Sequence, residues 1–254
     1  MLHSHLLGDP NGRPVLFLHP GNATGASWGD IVAELSGVAA HCPDLPGFGQ
    51  SRHHPLIDFD DSADRVAALV RSLDLPLPIP VVGYSLGGYT GMSLAIRHPD
   101  VVASALLTSF QVMPLDGAWW KIPLMNLLAP IMMLQWPRRR AFASLGIRDG
   151  GSWAVTPKSP CDAATLRRIG RLAFAYDVRA DLLTLTPPVL ALGGADELPS
   201  IREAVGMIAR TAPKGRGAIA PGGHGWPVVE SALFVATLRA WLDGGPLPEV
   251  LQQV

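Results

Sequence analysis

The run Ile79-Pro80-Val81-Val82-Gly83-Tyr84-Ser85-Leu86-Gly87-Gly88 constrains the fold more than any other stretch of this chain. A short apolar segment stops at a serine, with a glycine two positions before it and two glycines following. Tyr89 to His98 then reads as a helix ended by Pro99. Strand, sharp turn and helix in that order let a serine hydroxyl project from the tip of a strained turn, free of the sheet. A Cβ at position 83 or 87 would crowd neighbouring backbone, so glycine has a steric reason at both. The plainer alternative is a Gly-Ser loop between a strand and a helix, since five-residue patterns also arise by chance. The rest of the chain must decide.

Its 254 residues suit one large domain or a domain carrying an insertion. With 48% hydrophobic and 16% charged residues, the chain reads as globular rather than disordered. A formal net charge of −1 without a long basic or acidic tract argues against a nucleic-acid partner, and Arg138-Arg139-Arg140 reads as a solvated turn. Cys42 and Cys161 match no metal-ligand spacing and are too few for a disulfide framework. They read as buried apolar residues in a reducing compartment, and no metal or cofactor is expected. The N-terminus lacks the basic and apolar regions of a signal peptide. Ile122 to Trp136, interrupted by Pro123 and Pro130, is too short to span a bilayer. The expectation is a soluble, cytoplasmic monomer or homodimer that meets a small-molecule substrate and neither nucleic acid nor membrane.

Strand-like and helix-like segments alternate, which favours an α/β architecture with a mostly parallel sheet. Val15 to Leu18, Val38 to Cys42, Ile79 to Tyr84 and Val101 to Leu107 read as strands. Trp28 to Leu35 and Asp58 to Leu73 read as helices. From Pro114 to Asp181 the pattern turns helical and rich in Trp, Met and Leu, with Ser159-Pro160-Cys161-Asp162 resembling a capped helix start. Alternation resumes at Pro188 to Gly194, with a helix from Ser200 to Thr211, a strand at Gly217 to Ala220 and a closing helix from Trp226 to Leu242. The expected division is a core of residues 1–113 and 182–254 with residues 114–181 as a helical lid. An insertion there can roof a site at the carboxyl ends of the strands. Trp119, Trp120, Met125, Met132, Met133, Trp136 and Phe142 could line that roof, although for any one of them packing of the insertion against itself and the main domain is the better reading.

A serine hydroxyl becomes a nucleophile when a base takes its proton and an acid orients that base. After the elbow, Leu192-Gly193-Gly194-Ala195-Asp196 puts an aspartate just past a strand. Pro221-Gly222-Gly223-His224-Gly225-Trp226 puts a histidine just past the next one. Asp196 is the leading candidate for the acid and His224 for the base, with Glu197 the nearest competitor to Asp196. A tetrahedral intermediate also needs two preorganised N–H donors. Leu86 follows the nucleophile, and Leu18-His19-Pro20-Gly21-Asn22 follows an early strand. Proline has no N–H, which favours Gly21, with Asn22 second. Asn22, Tyr84, Trp119, Trp120, Met132, Trp136 and Trp226 are candidate substrate contacts.

These features together resemble the α/β-hydrolase fold, in particular its small, lidded serine esterases and carboxyl-ester hydrolases. The likeness rests on His19-Pro20-Gly21, on Pro43-Asp44-Leu45-Pro46-Gly47-Phe48-Gly49-Gln50-Ser51, on the elbow, on Gly193 to Asp196 and on Gly223-His224, and it spans nearly the whole chain. It implies a helical lid after the sixth strand, a Ser85–His224–Asp196 triad, an oxyanion hole at Gly21 and Leu86, and His19 as a buried organiser of its loop. The activity it implies is hydrolysis of a small, fairly apolar carboxylic ester or lactone through an acyl-enzyme. The same triad could serve carbon–carbon bond hydrolysis, perhydrolysis or acyl transfer, and the fold could also act as a ligand-binding protein without turnover.

Overall fold

Eight strands form one sheet in the computed structural model, which describes residues 1–156 and 158–254. They are β1 (Ser4–Gly8), β2 (Arg13–Leu18), β3 (Val38–Pro43), β4 (Ile79–Tyr84), β5 (Val102–Thr108), β6 (Val189–Gly194), β7 (Gly215–Ala220) and β8 (Gln252–Gln253). Their spatial order is β1-β3-β2-β4-β5-β6-β7-β8. The six inner strands are parallel, and β1 and β8 pair antiparallel at the edges. Inner strands such as β4 are buried along their whole length, as apolar runs covered on both faces must be.

The helices are α1 (Gly29–Ala33), α2 (Phe59–Ser72), α3 (Leu86–Arg97), α4 (Ala118–Leu128), α5 (Gln135–Ser144), α6 (Ala163–Ala175), α7 (Pro199–Thr211), α8 (Trp226–Val229) and α9 (Ser231–Asp243). One face of the sheet packs on α2, α3 and α7 through Val66, Met92 and Ile208. The other packs on α1 and α9 through Ile31, Phe234 and Leu238. Strand β4 alternates between the two cores, with Val81 in one and Val82 in the other. Asp58 caps α2 by accepting the Asp61 N–H at 2.7 Å, and acidic residues fill the first turn, where the helix dipole favours them.

Several local expectations need correction. Helix α6 starts at Ala163 rather than at Ser159, because the Asp162 carboxylate accepts the Thr165 N–H at 2.7 Å and so makes the cap. The closing helix divides into α8 and α9 at Glu230, whose φ of −105° and ψ of 47° leave the helical region. Arg138, Arg139 and Arg140 lie within α5 rather than in a turn, and Arg138 is buried with its guanidinium donating to the Thr156 carbonyl. The helical stretch follows the fifth strand rather than the sixth, since only β1 precedes β2. Cys42 and Cys161 are buried free thiols, as composition implied.

From β2 the chain steps outward to β3 and then returns across β2 to β4. Connections therefore leave β2 and β4 in opposite directions, which opens a crevice at their carboxyl ends. The helical stretch α4 to α6 enters between β5 and β6, from the same edge of the sheet. Among the described residues no helix is long and apolar enough to cross a membrane.

Candidate active site

Ser85 sits between the end of β4 and the first residue of α3, with φ 53° and ψ −109°. Such a conformation costs a non-glycine residue about 1–3 kcal/mol and persists only when its surroundings dictate it. Here they do. The Ser85 N–H donates to the Thr108 carbonyl at 2.9 Å, and the Ser85 carbonyl accepts the Gly88 N–H at 2.8 Å. A Cβ on Gly83 would strike the Gly87 carbonyl, and one on Gly87 would strike the Leu18 carbonyl. Strand β2, the elbow and α3 are thus held closer than any side chain would allow.

His224, in the loop after β7, brings Nε2 to 3.0 Å from the Ser85 hydroxyl oxygen. Its Nδ1 lies 2.6 Å from Oε1 of Glu197. The acid on His224 is therefore Glu197, not Asp196. In the turn after β6 the Glu197 N–H donates to the Gly194 carbonyl at 3.1 Å, which aims residue 197 inward and leaves Asp196 exposed. Asp196 instead uses its backbone, donating its N–H to the Gly222 carbonyl at 2.9 Å and so tying the acid turn to the histidine loop. The second Glu197 oxygen accepts the Gly194 N–H at 2.7 Å and the Ser109 hydroxyl at 3.2 Å. Since a carboxylate only accepts, Nδ1 carries the imidazole proton and Nε2 is free to receive one from Ser85. The Tyr84 hydroxyl donates to the His224 carbonyl at 2.6 Å, so the strand that delivers the serine also fixes the histidine loop.

His19 organises the loop after β2. Its Nδ1–H donates to the Pro20 carbonyl at 2.8 Å, and Nε2 accepts the Leu45 N–H at 2.9 Å. Burial lowers its pKa to about 4, which keeps the ring neutral. Asp44 braces the adjacent turn: burial raises its pKa, but hydrogen bonds from His5 and from the Gln50 and Gly25 N–H groups outweigh burial and hold the carboxyl below its ordinary value. His3, His5 and Asp44 bring potential metal-ligand atoms within 4.8 Å of one another. The His5–Asp44 contact of 3.2 Å, the two backbone donors to Asp44 and the 3.0 Å contact of His3 Nε2 with the Gln50 amide account for that cluster as hydrogen bonding.

Among the described residues the Gly21 and Leu86 N–H groups donate to no protein acceptor, and both residues line the space beside Ser85. Asn22 adopts φ 61°, and its side-chain oxygen faces the Cys161 thiol at 3.9 Å.

Two lobes meet at Ser85. One, of about 410 Å³, is walled by Met125, Leu128, Met132, Phe142, Trp153 and Ile169. The other, of about 730 Å³, adds Gln111, Leu115, Leu198 and Ile201. Of the candidate contacts, Asn22, Tyr84 and Met132 line the first lobe. Trp119, Trp120 and Trp136 line neither and are 83%, 47% and 67% exposed. Trp226 is a core residue whose indole N–H donates to the Thr108 hydroxyl at 3.0 Å. Sequence reasoning missed Trp153 and Ser109. Trp153 stands in a Gly-Ser-rich connection without periodicity, and Ser109 is an ordinary serine past a strand.

A sequence model of the alpha/beta hydrolase family matches residues 15–238. A pimeloyl-[acyl-carrier protein] methyl ester esterase of Nitrosomonas europaea is 25% identical over 231 residues, which are 85% of this chain and 90% of that one. An enzyme of the same name from Chromobacterium violaceum is 38% identical over 99 residues, only 39% of this chain and 37% of that one. Among solved structures, a thermophilic esterase from Thermogutta terrifontis superposes with a TM-score of 0.76 at 23% identity, covering 96% of this chain and 93% of its own.

Proposed function

Because the chain belongs to the alpha/beta hydrolase family, we propose that it is a serine hydrolase of small, fairly apolar carboxylic esters or lactones, with Ser85, His224 and Glu197 as its triad. The observation that carries this reading is the unbroken hydrogen-bonded chain from Ser85 through His224 to Glu197, opening into a largely apolar cavity. The names of the two esterases above support ester hydrolysis.

In this mechanism the Ser85 oxygen attacks the carbonyl carbon while His224 Nε2 takes its proton. Glu197 holds the imidazole in the Nδ1–H tautomer and stabilises the imidazolium that forms. The Gly21 and Leu86 N–H groups receive the developing oxyanion. The imidazolium then passes its proton to the leaving alkoxide. A water activated by the same His224 releases the acid and restores Ser85. Residues 114–181 act as the cap, with Met125, Leu128 and Met132 gripping the apolar part of the substrate.

The test is Ser85→Ala on p-nitrophenyl esters, assayed beside lactones and vinylogous diketones. Turnover of the ester or lactone should fall by about three to six powers of ten. Wild-type turnover in that variant overturns the mechanism, and turnover of the diketone alone replaces the ester reading with carbon–carbon cleavage.

A further inference from the structure

We propose that the outer face of α4, its connection to α5 and the exposed side of α5 at Trp136 and Arg140 together dock on an anionic lipid surface. Helix α4, Ala-Trp-Trp-Lys-Ile-Pro-Leu-Met-Asn-Leu-Leu, is apolar around most of its circumference, yet none of its residues is buried. A helix apolar on all sides ordinarily lies inside a protein or within lipid. This one, at about 16 Å for its length, is too short to cross a bilayer. Trp119 is 83% exposed, Leu127 72%, Leu134 62% and Trp136 67%, so the apolar surface stands at tips rather than in a groove. Protruding aromatic and aliphatic tips suit shallow insertion at the level of lipid headgroups.

Charge selects the occupant. Residues 114–181 hold ten Lys and Arg, one of them the buried Arg138, against five Asp and Glu, whereas the rest of the chain holds ten against sixteen. The near-neutral total therefore conceals a basic helical stretch on an acidic core. Arg140 lies 5.1 Å from the centre of the Trp136 ring and Lys121 lies 5.5 Å from that of Trp120, so cations accompany the apolar tips. A second copy meeting this face with its own would oppose cation to cation, whereas an anionic lipid surface supplies both the negative charge and the apolar layer beneath it. The inner side of the same helix, through Met125 and Leu128, walls the cavity at Ser85. An amphiphile leaving the lipid would have only the thickness of α4 to pass. The expectation of no membrane partner rested on the lack of a spanning segment and does not bear on peripheral docking.

Flotation of the full chain would use vesicles of phosphatidylcholine alone and of phosphatidylcholine with about one-third phosphatidylglycerol. The anionic vesicles should carry at least about tenfold more protein, and high salt should remove most of that excess. The variant Trp119→Ser/Leu127→Ser/Trp136→Ser should lose about tenfold or more of the binding with an unchanged melting curve, as expected of exposed positions. Lys121→Glu/Arg140→Glu, which reverses the two cations beside the apolar tips, supplies an independent arm that should reduce the preference for anionic vesicles and leave those tips intact. The Ser85→Ala protein should float like wild type, which separates this inference from the hydrolase reading. Wild-type protein left unbound on anionic vesicles overturns the proposal, as does a Trp119/Leu127/Trp136 variant that floats undiminished. Self-association in vesicle-free solution abolished by the same substitutions would assign the face to a second copy, and binding to an acidic carrier protein without vesicle binding would assign it to that partner; either result also overturns it.

Discussion

The sheet edge and the helical stretch above it build the two sides of one cavity by opposite means. At the edge, Ser85, Glu197 and the His224 loop are tied by hydrogen bonds to three strands, and Gly83, Gly87 and Gly194 permit backbone contacts that a Cβ would block. In the stretch from α4 to α6 the side chains facing the cavity are mainly Met, Leu and Ile, with Phe142 and Trp153, and much of the apolar surface points outward. The first arrangement fixes atoms to within a hydrogen bond. The second fixes only a shape, and a shape made of flexible Met and Leu side chains adjusts to its contents. Chemistry should therefore break under single-atom changes at the edge and respond gradually to larger changes in the proposed cap.

The sharpest test of the edge after Ser85→Ala sets Glu197→Gln against Asp196→Asn. Glu197→Gln retains shape but exchanges an acceptor for an amide next to Nδ1, so kcat should fall by about two to four powers of ten. Asp196 is exposed and contributes through its backbone, so Asp196→Asn should stay within about threefold of wild type. Steady-state kinetics on one ester decides between them, and the reverse order would return the acid role to Asp196.

The same pair shows how far the sequence could be read. Strand ends are legible because apolar runs, glycines and chain order announce them, and Ser85, His224 and Gly21 inherit their places from strand ends. The acid is different. Asp196 and Glu197 both follow β6, and which one turns inward depends on the Glu197–Gly194 backbone bond, a turn geometry that residue types do not encode. Strands β1 and β8 were equally silent, since Gln252 and Gln253 carry no apolar pattern and pair only because β7 offers a free edge. The tryptophans misled for a physical reason. Indole size suggests a pocket wall, but Trp119 and Trp136 stand exposed on α4 and α5, whose cavity sides are supplied by Met125 and Phe142.

A smaller effect, on stability rather than rate, separates the His19 loop from the cap. His19 is buried and neutral with a pKa of about 4, against about 6.5 in the unfolded chain. Its folded-state pKa is the lower of the two, so between those values the unfolded chain binds the extra proton. Stability is complete above pH of about 6.5 and declines as pH falls toward 4, by up to about 3 kcal/mol from this residue. His41, also lowered by burial, acts in the same direction. Urea unfolding at a series of pH values should show this decline, and His19→Gln should flatten it. A slope unchanged in that variant would mean that His19 does not carry the effect.

The smallest expected change lies in the cap, where a graded response is the point. Met132 walls the smaller lobe and lies outside the proposed triad and oxyanion donors. Met132→Ala removes contact area from the apolar part of a substrate without touching the carbonyl. A lost methylene contact is worth about 0.8 kcal/mol, so kcat/KM for a butyrate ester should fall by about three- to tenfold. The loss should appear mainly in KM, because this contact is made equally in ground and transition states. A p-nitrophenyl acetate, too short to reach the wall, should keep kcat within about twofold of wild type. Loss of kcat for acetate as well would mean that the cap also positions the elbow, and the division between a rigid edge and an adaptable roof would then fail.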